Sequence, residues 1–197
     1  MTDLPTDPRL LEVLDSLYAR QPENQIRPRL EPTRRLVEYM GSPQENFKIV
    51  HITGTNGKTS TARIIERLLR EHGLRTGRLT SPHLVHFNER IALDGEAVSD
   101  QRIIDAFEEN ESLMDLVDSE LEEQGEPPLT FFEAMTALAF HIFSDAPIDV
   151  LVLEVGIGGE WDATNVADAD VAVFTTIALD HQKTLGNTVE EIANTKS

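Results

Sequence analysis

Leu10, Leu11, Leu14 and Leu17 recur at helical spacing and predict an amphipathic helix over residues 8–20. A shorter helix is expected over 31–40, closed by Gly41. The period then changes. Residues 47–53 form an apolar, β-branched run that ends in a glycine turn, and a helical pattern follows from 58 to 72, giving strand, loop and helix. Strands are also predicted at 75–80 and at 90–93, the second closed by Asp94-Gly95. Residues 99–123 read as a long helix, which Pro127-Pro128 ends. Residues 129–143 are apolar on most faces and predict a buried helix, and 149–155 and 171–177 predict two buried strands. Strands that are apolar throughout and separated by helices require cover on both faces, so the fold class is α/β, a mainly parallel sheet flanked by helices. Ligands of such sheets bind beyond the carboxyl ends of the strands.

Bulk properties narrow the function without naming it. The 197 residues, 40% hydrophobic and 26% charged, suit one soluble domain with no internal boundary. No apolar run is long enough to span a bilayer, so no membrane partner is expected. The acidic start lacks the plan of a signal peptide, which gives a cytoplasmic expectation. The absence of cysteine excludes disulfides, thiolate metal sites and a cysteine nucleophile. A net charge of -18 argues against non-specific nucleic-acid binding. Much of that charge lies in residues 108–126, whose spacing predicts a solvated helix face. Local donors can still bind phosphate inside a negative envelope.

The first chemically loaded segment is Gly54, Thr55, Asn56, Gly57, Lys58, Thr59 and Ser60, between a strand and a helix. Glycines let successive N–H groups face a phosphate, the helix N-terminus adds partial positive charge, and a lysine reaches the terminal oxygens. The general eight-residue phosphate-loop pattern is not fully met, because Ile52 stands where its first glycine belongs. The plain alternative is a glycine turn before a helix with a surface lysine. Glu154 ends an apolar strand, where a carboxylate is costly unless paired, capping a helix or bound to a metal such as Mg²⁺. His181, after Asp180, is either a hydrogen-bonded structural histidine or a ligand. Phe131 and Phe132 suit a core equally well.

Taken in order, five segments carry a resemblance. They are Gly54-Thr55-Asn56-Gly57-Lys58; Ser81-Pro82-His83-Leu84 with Glu89-Arg90-Ile91 and Gly95; Phe131-Phe132-Glu133; Glu154-Val155-Gly156-Ile157-Gly158-Gly159 with Asp162-Ala163-Thr164-Asn165; and Asp180-His181 with Leu185-Gly186, Glu191-Ile192-Ala193 and Lys196. Together they resemble the folylpolyglutamate synthase / dihydrofolate synthase family of the Mur ligase superfamily, in its N-terminal portion. The resemblance implies a P-loop NTPase-like central domain and ATP with Mg²⁺ as cofactors. It implies a ligase that phosphorylates a folate or dihydropteroate carboxylate and joins L-glutamate to the acyl phosphate.

The site residues follow from the same resemblance. ATP is assigned to residues 54–60, with Lys58 catalytic. The metal falls to Ser81, Glu154 and His181, although the hydroxyl after a phosphate-loop lysine would itself nominate Thr59. Lys196 is the lysine the family carbamylates. Phe131, Phe132, Glu133, His83, Asp162 and Asn165 are assigned to the folate, and residues 26–36 are a place where acceptor choice is expected. Departures are Glu160-Trp161, where the family more often has Arg-Leu, Gln182-Lys183-Thr184 after the histidine, and Thr59, often Gly in folate ligases. The alternatives are a Mur-type UDP-muramoyl amino-acid ligase and a non-catalytic nucleotide-binding module. The resemblance further implies that a C-terminal Rossmann-like domain lies outside these residues, that the chain alone has little ligase activity, and that its sheet exposes an edge.

Overall fold

The computed structural model describes residues 7–22 and 27–196, with every side chain among them except that of Lys183. Ile26, at the head of the segment expected to govern acceptor choice, lies outside the described residues. In chain order the elements are α1 (Pro8–Tyr18), α2 (Glu31–Tyr39), β1 (Lys48–Thr53), α3 (Lys58–Glu71), β2 (Thr76–Leu79), β3 (Ile91–Leu93), β4 (Glu96–Ala97), α4 (Asp100–Glu123), α5 (Phe131–Asp145), β5 (Val150–Glu154), β6 (Val171–Phe174), α6 (Gln182–Leu185) and α7 (Val189–Lys196).

The sheet order is β4-β3-β2-β5-β1-β6. Strands β2, β5, β1 and β6 are parallel, whereas β3 returns antiparallel to β2 and forms a hairpin with β4 through Asp94-Gly95. The sheet is therefore mainly parallel, with an antiparallel edge that apolar content alone did not distinguish. One face, carrying Ile52 and Val152, packs on Ala62 of α3. The other, carrying Ile49, Leu79, Leu151 and Leu153, packs on the core formed with α1, α2, α4 and α5. Leu151 to Leu153 are fully buried because β5 is covered on both sides.

Helix starts follow from capping. Asp7 accepts from the N–H of Arg9 and precedes Pro8, a residue suited to the first helical position. Thr130 and Glu133 form a reciprocal capping box, so α5 begins at Phe131 rather than at 129. The apolar stripe of α1 is Leu10, Val13 and Leu17; Leu11 is exposed, a correction to the predicted face. The acidic side of α4 is only partly solvated. Asp118 pairs with Arg20 at 2.7 Å, and Glu120 meets Arg35 at 3.2 Å and the Tyr39 hydroxyl at 2.8 Å, clamping the first two helices to the fourth.

Strand β6 also departs from expectation. It was expected to be buried, yet Val171 and Phe174 are each about half exposed, because β6 is the sheet edge and pairs only with β1 among the described residues. No helix among the described residues is long and apolar enough to cross a membrane.

A buried ion pair ties α3 to β2. Arg78 Nε donates to Glu66 Oε2 at 2.6 Å, its Nη1 donates to Thr80 Oγ1, and Glu66 also accepts from the N–H of Gly95. Arg78 and Glu66 are 5% and 3% exposed, so water cannot replace a lost partner. Replacing Arg78 with Met is expected to cost about 3–5 kcal/mol in urea unfolding, because it strands a buried carboxylate. Combining it with Glu66→Leu is expected to recover much of that loss.

His51 of β1 lies within 2.8 Å of Thr164 Oγ1, and burial lowers its pKa from 6.5 to about 4. Between those values the unfolded chain binds the proton and the folded chain does not, so stability falls as pH drops through that window. The contribution present at neutral pH is at most about 3 kcal/mol. Comparing urea midpoints at about pH 7.5 and about pH 4.5, the acid-induced drop is expected to be smaller in His51→Gln than in the parent chain.

Candidate active site

The loop after β1 turns sharply before α3. Gly54 has φ 145° and Gly57 φ 83°, both in the left-handed region that favours glycine. At Gly54 space is also limiting, since an added Cβ would lie 1.9 Å from Thr175 Oγ1. The loop is braced from the segment after β6. Thr55 N–H donates to the Thr176 carbonyl at 2.8 Å, and Thr55 Oγ1 exchanges hydrogen bonds with the Ala178 carbonyl and N–H at 3.1 and 3.0 Å. Lys58 Nζ folds onto the loop, donating to the carbonyls of Gly54 at 3.1 Å and Thr55 at 3.4 Å. The first-turn N–H groups of α3 have no intrahelical acceptor, so the loop offers a lysine and a positive helix end together. Asn56 and Ser60 are exposed beside it.

Parallel pairing brings the acidic residue alongside. Ile52 on β1 is in register with Glu154 on β5, so the two strands end together. Thr59 Oγ1 lies 2.9 and 3.0 Å from the two carboxylate oxygens of Glu154, and the Ser81 N–H also donates to that carboxylate. Glu154 is 2% exposed, and burial raises its pKa against the opposing pull of these hydrogen bonds and of Lys58. Thr59 thus sits against the acidic group as well as on the phosphate loop. Sequence reasoning had to choose between Thr59 and Ser81; the fold brings both to Glu154.

Lys196 comes to the same place from the other end of the chain. It is 6% exposed, its Nζ donates to the Gly54 carbonyl at 3.1 Å, and its pKa is lowered by burial and by the charge of Lys58. Gly159 permits this approach, because a Cβ there would lie 2.9–3.0 Å from the Lys196 backbone.

A cavity of about 440 Å³ opens beside these groups. Among the expected residues it is lined by Thr55, Lys58, Ser81, Phe132, Glu133, Asp162 and His181. His181 is about half exposed, with its ring 3.7 Å from Asp180. Among the described residues no three His, Cys, Asp or Glu side chains cluster into a ready metal cage.

Several expected folate contacts are placed elsewhere or already engaged. Phe131 is buried against Tyr18, with ring centroids 5.1 Å apart, under the guanidinium of Arg90. His83 accepts from Arg90 Nε at 2.8 Å. Both line a neighbouring hollow of about 490 Å³ rather than the main cavity. Asn165 is exposed, donates to the Glu160 carbonyl and is not among the lining residues. Glu133 is held by Arg29 in a two-point ion pair at 2.9 and 2.9 Å, so its carboxylate is not a free acceptor. Asp162 is buried and accepts from the N–H groups of Gly156, Ile157 and Thr164 and from the Thr164 hydroxyl. Its role in the fold is to shape the glycine loop; burial raises its pKa.

Lining residues that sequence reasoning did not single out include Trp161, and also Arg27 and Arg29, which lie within the segment 26–36 named for acceptor choice without a pattern of their own. Arg29 reaches Glu133 across 104 positions of sequence, which no local pattern announces. Trp161 had a local signal, being an aromatic inside the glycine loop.

Comparison with known proteins agrees with the resemblance. The chain is 45% identical over 191 residues to the dihydrofolate synthase/folylpolyglutamate synthase of Mycobacterium tuberculosis, covering 95% of this chain and 39% of that protein. It is 42% identical over 146 residues to the Escherichia coli protein of the same description, covering 74% of this chain and 32% of that protein. Among solved structures, Mycobacterium tuberculosis folylpolyglutamate synthase complexed with ADP superposes with a TM-score of 0.87 at 45% identity, over 95% of this chain and 41% of that one. E. coli FolC in complex with DHPP and ADP gives 0.80 at 36% identity, over 95% and 42%. The chain therefore spans about two fifths or less of the length of these relatives. The family model described as the Mur ligase middle domain matches residues 52–197, the stretch that runs from the phosphate loop to Lys196, and the chain belongs to that family.

Proposed function

We propose that the chain is the N-terminal part of the ATP-binding domain of a ligase that joins L-glutamate to a folate or dihydropteroate carboxylate. In this reading ATP transfers its γ-phosphoryl group to that carboxylate, giving an acyl phosphate and ADP. The glutamate amine then attacks the acyl carbon, phosphate leaves, and an amide forms as the amine loses its proton. The observation that carries the reading is the contact between Thr59 of the phosphate loop and the buried carboxylate of Glu154. It joins a phosphate-binding element, whose Thr55 and Lys58 line the cavity, to an acidic group at a strand end.

The chain's own residues suit each role. Lys58 sits on the loop and would leave the carbonyls of Gly54 and Thr55 for phosphate oxygens, charge for charge. Glu154 is a buried carboxylate that pairs with no cationic side chain within salt-bridge distance among the described residues, ringed by hydroxyl and amide groups. Such oxygen donors fit Mg²⁺, which Glu154 and Ser81 would hold with His181 nearby on the cavity wall. That ion would supply neutralisation of phosphate charge. Lys196 has a lowered pKa, which favours the neutral amine that adds to carbon dioxide with loss of a proton, and this supports its assignment as the carbamylated lysine. The remaining parts of the active site, in a Rossmann-like domain, are assigned to sequence beyond this chain.

The test is calorimetric titration of the 197-residue chain with a non-hydrolysable ATP analogue. Binding is expected to depend on Mg²⁺, and Glu154→Gln is expected to weaken it about ten-fold or more, about 1.4 kcal/mol, without lowering the melting temperature. Gly54→Ala is expected to abolish binding. Affinity that is the same with and without Mg²⁺, and untouched by Glu154→Gln, would sink the proposal. Amide formation from dihydropteroate or tetrahydrofolate, ATP and glutamate is expected to be negligible with this chain alone.

A further inference from the structure

The loop that follows β5 carries two glycines whose α-carbons each seat an aromatic ring. A Cβ at Gly156 would lie 2.6 Å from Phe132 Cζ, and a Cβ at Gly158 would lie 3.0 Å from both Cη2 and Cζ2 of Trp161. Gly158 also has φ 81°, so its backbone and its missing side chain both serve the seat. Phe132 and Trp161 line the same 440 Å³ cavity, and Ile157 lines it from the same loop. Phe132, Ile157 and Trp161 are each only partly buried. Among the described residues the indole N–H of Trp161 donates to no acceptor, so packing on the loop is what holds the ring.

The two rings seated on this one loop are balanced by Lys58 and Thr55, which line the same cavity. A ligand matching both features has an anionic group and a flat aromatic system, and a fused two-ring system offers an indole more area than a single ring.

We propose that Trp161 is a specificity-determining residue that stacks on the fused heteroaromatic ring of the acceptor, in the cavity that Phe132 also lines. This rests on the folate-ligase reading above and adds to it the residue that selects a two-ring acceptor over a single-ring one. Glu160, its neighbour, is exposed and plays no part in the stack. The rigid seat matters to selectivity, because a ring fixed on a glycine loop does not reorder when the ligand arrives.

The chain has one tryptophan, so its fluorescence reports this ring directly. With the ATP analogue and Mg²⁺ present, dihydropteroate is expected to quench that emission over the same concentration range in which calorimetry detects binding. Trp161→Leu is expected to weaken dihydropteroate about ten-fold, the size of one lost stack, and Trp161→Phe less. Neither variant is expected to change the affinity for the ATP analogue or for p-aminobenzoate, and melting curves establish that both fold. If dihydropteroate binds the parent chain without moving the emission, or binds Trp161→Leu equally well, Trp161 is a structural residue and only this inference falls. If dihydropteroate does not bind the parent chain at all, the folate reading falls with it.

Discussion

Strands β1 and β5 lie side by side in parallel, with Ile52 opposite Glu154, and the site is a consequence of that register. Parallel strands end on the same side of a sheet, so the loop leaving β1 and the acid ending β5 emerge together. A shift of one residue would turn Glu154 toward the opposite face, away from α3 and Thr59. Polar contacts oppose such a slip, since it would take Glu154 from Thr59 and Ser81 and His51 from Thr164. What reads in sequence as two unremarkable hydrophobic runs separated by 96 residues thus sets the distance between a phosphate loop and a carboxylate.

The same end of the sheet concentrates positive charge in a chain of net charge -18. Lys58 and Lys196 both donate to one carbonyl, that of Gly54, and the charge of the first helps lower the pKa of the second. Among the described residues neither lysine forms an ion pair, and the carbonyls of Gly54 and Thr55 compensate their charge only in part. An anion entering the loop would relieve Lys58 most directly, while loss of a proton would relieve Lys196. A dense run of acidic residues lies away from the site on α4, where Asp118 and Glu120 clamp α1 and α2. Lysines and carboxylates are thus interleaved at the site while much further acidity lies on α4, which net charge alone does not reveal.

The sequence made the phosphate loop, the strand-end acid and the order of elements legible because each is local: a glycine turn after an apolar run, or a carboxylate at its end. Lys196 was singled out only through resemblance, since a lysine near a helix end is ordinarily solvated, and the fold buries it. Residues whose surroundings depend on distant partners were less legible. Phe131 and Phe132 are adjacent in sequence, yet α5 turns one toward Tyr18 and the other toward the cavity. Glu133 was assigned to the folate through the resemblance, and its ion pair with Arg29, across the fold, has no local sign. Leu11 satisfies a helical spacing as well as Val13 does, and only the packed core decides between them.

The phosphate loop has one firm side and one exposed side. Its strand, β1, is flanked by β5 in the interior, but Gly54 and Thr55 are shaped by Thr175, Thr176 and Ala178, which follow the edge strand β6. Val171, Phe174 and Leu179 in that segment are about half exposed, so little apolar burial restrains it. Segments with few buried contacts open at lower free energy than the core. Whatever covers these side chains would therefore stiffen the nucleotide loop without touching it. Order at the sheet edge and order at the phosphate site are coupled through the paired hydrogen bonds between Thr55 and Ala178.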